Sequence, residues 1–279
     1  GVGLLGLNRA FRVRELQNLE GAAFRPVRLA APSAVVDDIE LIAINNTDKV
    51  MLSDIVGYEM QKDQLVANTE AFLRGDSANN VLLYGPAGTG KSISVKALLN
   101  EYYESGLRII ELYKHQFEDL STLTSVIKNR NYRFIIFVED LTFTEDEVEY
   151  NFLKNVIEGG LETRPENVLV YATSNRRHLT EQLWNGSDEA EDDEFVSCLD
   201  EGLDKESLTS LFGLTVNFGK PTSELYHEMV KELASRKLAQ PPEDSELFFL
   251  ADRWAARHGG MTGRAAQQFV STLSERTSS

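Results

Sequence analysis

The sequence predicts an α/β fold: a sheet of five parallel strands flanked by helices, followed by a small C-terminal helical lid. Three observations predict it. Apolar runs alternate with helical stretches from Leu52 to Phe218. A glycine-rich octet, Gly85-Pro86-Ala87-Gly88-Thr89-Gly90-Lys91-Ser92, lies between one such run and a helical stretch. Beyond Pro221 the pattern becomes wholly helical. The implied organisation is an N-terminal helical and extended arm over residues 1–50, a core over 51–220 and a lid over 221–279.

From Leu4 to about Ala23 the apolar residues are spaced as on a helix. Pro26, Pro32 and a mixed stretch then lead to Asp37-Asp38-Ile39-Glu40-Leu41-Ile42-Ala43-Ile44, a segment appended to the core. Leu52-Ser53-Asp54-Ile55-Val56-Gly57-Tyr58 opens a helix that continues through Gln61, Leu65 and Phe72 and ends at Gly75. Val81-Leu82-Leu83-Tyr84 is the first core strand, and the residues after the octet continue as a helix. Leu107 to Leu112 follows as a strand backed by a helix from Leu120 to Ile127, and Phe134 to Val138 is the third strand. A helix from about Val148 to Glu158 precedes the strands Val168 to Ala172 and Leu214 to Phe218. Several of these runs are continuously apolar, as parallel strands covered on both faces are. In the lid, Thr222 or Ser223 caps a helix from Glu224 to Arg236, Asp244 or Ser245 caps one reaching His258, and Thr262 opens the last. Between Asp188 and Glu206 stand ten acidic residues and one lysine. Their mutual repulsion predicts an exposed insertion over about residues 186–206.

The octet is a complete GxxxxGK[ST] phosphate loop. A glycine-rich turn between strand and helix lets successive backbone N–H groups point inward at the positive end of the helix dipole, which makes an anion cradle. Lys91 is placed to reach the β- and γ-phosphates of a nucleoside triphosphate, and the Ser92 hydroxyl to ligate Mg²⁺. Gly85 through Ser92, with Ile93 next in the helix, are therefore candidate nucleotide-binding residues. Such a site needs an acidic group at the end of a second buried strand for the metal, and a second carboxylate to orient water. Glu139 and Asp140 supply these, Glu139 for Mg²⁺ and Asp140 for the water. Any strand can end in two acids; a position about fifty residues after a phosphate loop selects the functional reading. Asn175, just beyond the strand ending at Ala172, can contact the γ-phosphate or the water from the carboxyl edge of the sheet.

At 279 residues, 42% hydrophobic and 26% charged, the chain has the composition of an ordinary globular protein. It shows no apolar run of transmembrane length, and Gly1-Val2-Gly3-Leu4-Leu5 carries no basic leader, so a cytoplasmic location is expected. A single cysteine, Cys198, sets aside an intramolecular disulfide or a cysteine-built zinc site. The formal charge of −16 argues against nucleic acid or an anionic membrane as partner, since both call for a basic surface. Arg9, Arg12, Arg14, Arg25 and Arg28 gather near the N-terminus and read as a solvated or subunit-contacting face, with a nucleic-acid arm as the alternative. The four histidines lack ligand-like spacing, and Trp184 and Trp254 read as packing residues.

With these residues in view the chain resembles the AAA-plus ATPases, and most closely a bacterial branch catalogued as domain of unknown function, family 815. The resemblance rests on Leu52 to Glu59, Asn79 to Gly85, Phe134 to Val138 and Tyr171-Ala172-Thr173-Ser174-Asn175-Arg176-Arg177-His178-Leu179, and extends from about Leu52 to the C-terminus. It implies that Ile55-Val56-Gly57 borders the adenine pocket and that Asn175 is the residue called sensor 1. It also implies that Gly260-Met261-Thr262-Gly263-Arg264 carries sensor 2, with Arg264 reaching the γ-phosphate from the lid. Assembly into rings or open helices is a further implication. Three positions, the acidic pair and Leu211, depart from the family pattern. Glu139 is a methylene longer than the expected aspartate and Asp140 a methylene shorter than the typical glutamate, which should affect hydrolysis more than binding. Leu211 stands where the resemblance leads us to expect an arginine that serves a neighbouring subunit; Arg176 or Arg177 are the candidates to replace it.

The function expected is thus an AAA-plus ATPase using ATP and Mg²⁺ to drive lid or subunit movement on a protein client. The alternative from another class is a nucleotide-gated scaffold with little or no hydrolysis. A DNA-associated loader is a third reading, opposed by the acidic charge.

Overall fold

In the computed structural model, residues 4–15, 33–36, 39–45, 47–141, 153, 154, 157, 165–175 and 211–277 are described. The five expected core strands are present as β4 (Val81–Tyr84), β5 (Leu107–Leu112), β6 (Arg133–Val138), β7 (Val168–Ser174) and β8 (Leu214–Asn217). They are mutually parallel and ordered β5-β6-β7-β4-β8. Val81–Tyr84 and Val168–Ser174 are buried along their whole length, which is why both read as unbroken runs rather than alternating ones. Helices α2 (Glu59–Arg74), α3 (Lys91–Tyr102) and α4 (Leu120–Ile127) accompany the strands. Gly75 ends α2 in the left-handed conformation, as expected of a C-terminal glycine.

Among the described residues the sheet has eight strands rather than five. Only α1 (Leu4–Leu7) of the helix expected over Leu4 to Ala23 is helical; Ala10–Glu15 is a strand, β1, and residues 16–23 lie outside the described ones. The deciding pattern is a period of two that the helical reading overlooked. Phe11 and Val13 are buried, while Arg12 and Arg14 point outward to ion pairs with Glu111 and Glu40. β1 pairs in parallel with β5 and antiparallel with β3 (Ile39–Ile44), which pairs with β2 (Ser33–Val36), so the N-terminal segment extends the core sheet. Three of the five N-terminal arginines therefore have partners within the chain, Arg9 donating to Asn100 Oδ1; Arg25 and Arg28 lie outside the described residues.

The single helix expected from Leu52 is also corrected. Leu52–Asp54 is a short 3-10 turn, and Gly57 and Tyr58 both adopt positive φ, 79° and 56°, before α2 begins at Glu59. Two left-handed residues in succession cannot continue a right-handed helix.

The C-terminal unit comprises α5 (Ser223–Lys237), α6 (Asp244–Arg257) and α7 (Gly263–Thr277). Thr222 caps α5 by accepting the Leu225 N–H at 3.2 Å, Thr262 accepts that of Ala265 at 3.1 Å, and Glu243 rather than Asp244 or Ser245 occupies the cap of α6. Trp254 packs between His258 and Phe269, as its reading as a packing residue required. Leu211 is buried beside Phe212 in the core that covers one face of the sheet. The helix expected over Val148 to Glu158 is described only at Leu153, Lys154 and Ile157, all helical. The acidic insertion, Trp184, Cys198 and the pair Arg176 and Arg177 lie outside the described residues. Among the described residues no helix is long and apolar enough to cross a membrane.

Candidate functional site

The phosphate loop bends between β4 and α3 because its glycines permit it. Gly85, Gly88 and Gly90 have φ of 139°, 80° and 105°. At Gly85 any side chain is excluded twice over, since a Cβ would lie 2.2 Å from the Phe218 carbonyl oxygen at the end of β8. Lys91 begins α3 and is 4% exposed. Its ammonium donates to the carbonyls of Gly85 and Pro86, each at 2.7 Å. Burial lowers its pKa to about 8; the Asp140 carboxylate opposes this and Arg264 adds to it.

The acidic turn after β6 is anchored at both ends. Val138 and Leu141 are buried, and Glu139 and Asp140 between them are exposed. Asp140 has φ of 55°, and its N–H donates to Thr173 Oγ1 at 3.0 Å. Its Oδ1 accepts from Asn175 Nδ2 at 2.9 Å. The left-handed backbone accounts for aspartate in place of the longer glutamate, because aspartate is among the few residues with a side chain that tolerate that region. The two acids face different company. Asp140 acts on Lys91, whereas Glu139 adds to the raised pKa of Tyr113, which is due first to burial and then to Glu111.

These groups line one cleft of about 480 Å³. Of the residues predicted from sequence, Ile55, Val56, Ala87, Gly88, Thr89, Gly90, Lys91, Ser92, Ile93, Glu139, Asp140, Asn175 and Arg264 border it. Gly57, Gly85 and Pro86 do not: Gly57 lies under Leu225 and Met229 of α5, and Gly85 and Pro86, at the start of the loop, give their carbonyls to Lys91. The C-terminal unit closes the opposite wall. Arg264 donates its backbone N–H to the Gly88 carbonyl at 3.2 Å, so α7 starts directly on the phosphate loop. Arg236 reaches from α5 to the Ser53 carbonyl at 2.9 Å, and the Tyr58 hydroxyl, its pKa raised to about 12 by burial, donates to the Gly219 carbonyl at 2.8 Å.

Sequence reasoning missed Asp48, Val50, Thr173, Met229 and Leu233 in the lining. Met229 and Leu233 stand four residues apart on α5, a spacing that could have found them. No such signal marks Asp48 and Val50. Their carbonyls accept from Asn100 Nδ2 at 2.6 and 2.8 Å, while Asn100 Oδ1 accepts from Arg9 at 3.2 Å. One amide on α3 thereby ties Arg9, the residue before β1, to a wall of the cleft.

A nucleotide and Mg²⁺ fit what is present. Left-handed glycines at Gly88 and Gly90 ahead of a twelve-residue helix are the backbone pattern that suits an anion, and a hydroxyl and a carboxylate border the same cleft.

Fold and phosphate-loop motif together give this chain the architecture of the AAA-plus P-loop proteins. The RuvB Holliday junction branch migration motor of Thermotoga maritima matches with a TM-score of 0.51 at 18% identity, over 81% of this chain and 64% of that chain. A proline-to-glycine variant of the same motor matches with a TM-score of 0.53 at 19% identity, over 81% and 65%. Identity this low makes the likeness one of fold. The Replication factor C large subunit of Staphylothermus marinus is 32% identical over 99 residues, 35% of this chain and 23% of that protein. Its counterpart from Methanococcus vannielii is 32% identical over 76 residues, 27% and 15%. The chain thus spans less than a quarter of these curated relatives, and less than two thirds of RuvB. The family model described as protein of unknown function, DUF815, matches residues 30–277, and the chain belongs to that family.

Proposed function

We propose that the chain is an AAA-plus ATPase of the cytoplasm, which binds ATP with Mg²⁺ between its sheet and its helical lid and converts nucleotide state into movement on a protein client. The observation that carries this is the convergence of Lys91, the Asp140–Asn175 pair and Arg264 on one cleft, with Arg264 supplied by the C-terminal unit. Residues 51–220 serve as the nucleotide-binding core and 221–279 as the lid.

In this reading the loop amides and Lys91 hold the phosphates, Ser92 and Glu139 hold Mg²⁺, and Ile55 and Val56 border the base. Mg²⁺ supplies neutralisation of charge on the phosphoryl oxygens. Asp140 orients the attacking water. As that oxygen bonds to the γ-phosphorus, the bond to the β–γ bridging oxygen breaks and ADP leaves. Asn175 and Arg264 contact the γ-phosphate, so its loss is felt in the lid. RuvB and Replication factor C bear names tied to DNA, but a charge of −16 favours a protein client for this chain.

The scaffold alternative draws support from Leu211, which is buried, so that position offers no cation to a neighbouring site. Phosphate release per bound ATP separates the two, with Lys91→Ala as blank. Release at least tenfold above the blank is expected; release equal to the blank, with ATP bound, overturns the enzyme reading in favour of the scaffold.

A further inference from the structure

The end of β7 holds Asp140 at two points. Val138 and Ala172 are the last pair of the β6–β7 ladder; beyond them β6 leaves the sheet while β7 continues to Ser174. The departing chain then returns to the same strand, because the Leu141 N–H donates to the Thr173 carbonyl at 2.6 Å and the Leu141 side chain is buried. Asp140 sits at the apex of this excursion with φ of 55°. A left-handed backbone brings Cβ close to the following carbonyl and persists where surrounding contacts over-determine it.

We propose that Thr173 is a positioning residue for Asp140, its hydroxyl holding the left-handed turn that brings the carboxylate onto Asn175 and toward the phosphate loop. The hydroxyl is suited to this. Thr173 is 2% exposed, its branched side chain has few rotamers, and its Oγ1 accepts the Asp140 N–H at 3.0 Å. Thr173 on β7 and Asn175, one residue past its end, approach the turn together. One takes the backbone N–H of Asp140 and the other its carboxylate. Removing the hydroxyl deprives that N–H of its acceptor and lets the turn relax away from the left-handed region, shifting the carboxylate.

The kinetic consequence rests on the ATPase reading above, for which Asp140 orients water. Misplacement of such a group by about 1 Å costs on the order of a hundredfold in rate. Three proteins test it: wild type, Thr173→Val, which keeps the shape without the hydroxyl, and Thr173→Ser, which keeps the hydroxyl without the methyl. ATP affinity, from titration of a fluorescent ATP analogue, is expected to stay within about threefold in all three, because the phosphate loop is untouched. Turnover at saturating ATP is expected to fall about tenfold to a hundredfold in Thr173→Val and to stay near wild type in Thr173→Ser. A crystal structure of Thr173→Val should show Asp140 with negative φ and its contact to Asn175 lost. Equal turnover in Thr173→Val, or an equal fall in both variants, overturns the proposal. If wild type binds ATP without turnover, the ATPase reading fails instead, and the crystal structure decides: a left-handed Asp140 still bonded to Asn175 in Thr173→Val overturns the positioning role by itself.

Discussion

Lys91 shows how a single residue is made responsive to its surroundings. Its ammonium is buried among carbonyls of its own loop, so its pKa falls from 10.5 to about 8. Bound phosphates favour the charged form and raise that pKa, so nucleotide binding above pH 8 takes up a proton. The sign follows from that uptake. Affinity is full below pH 8 and is expected to fall by up to about tenfold per unit as pH rises beyond it. ATP titrations at pH 7, 8 and 9 check this, and Lys91→Arg, which stays charged throughout, should remove the slope if it binds. Leu211 is instructive in the opposite sense. Its departure from the family pattern was legible in the sequence, but its burial was not, because the residues that cover it belong to distant segments.

At the scale of elements, the N-terminal strands and α3 are joined through Asn100. Its amide donates to the carbonyls of Asp48 and Val50, which line the cleft, and accepts from Arg9, whose guanidinium lies 4.7 Å from the centre of the Tyr103 ring. Hydrogen bonds of this kind contribute about 1 kcal/mol each, and an orphaned partner costs more. Asn100→Leu is therefore expected to weaken ATP binding about fivefold to thirtyfold, and Arg9→Ala by less, with turnover at saturation unchanged in both. Equal affinity in Asn100→Leu, measured by calorimetry on folded protein, would show that this wall takes no part in binding. Two helix caps were legible because a cap is local: Thr222 and Thr262 serve the N–H groups three residues on, whereas the cap of α6 falls on Glu243, one residue before the expected Asp244. The strand β1 was not, since its six residues offer two competing periods and only the edge of β5 selects between them.

For the whole molecule, the C-terminal unit touches the core at the phosphate loop, at Ser53 and at Gly57, so closure over a ligand would draw on contacts on both sides of the cleft. If assembly accompanies nucleotide binding, as the family resemblance implies, molar mass by light scattering should rise with ATP and Mg²⁺ and stay unchanged in Lys91→Ala. An unchanged mass in wild type would make the chain an ATP-binding monomer under those conditions. By itself the sequence determined the phosphate loop, the five core strands, the acidic pair and the helical C-terminal unit, because each is written in a contiguous motif or a local period. Only the tertiary structure decided the eight-stranded sheet, the break at Gly57 and Tyr58, and the left-handed turn of Asp140 against Thr173. Each of these depends on hydrogen-bond partners brought together from separate parts of the chain, and a pattern read along the chain does not contain the pairing.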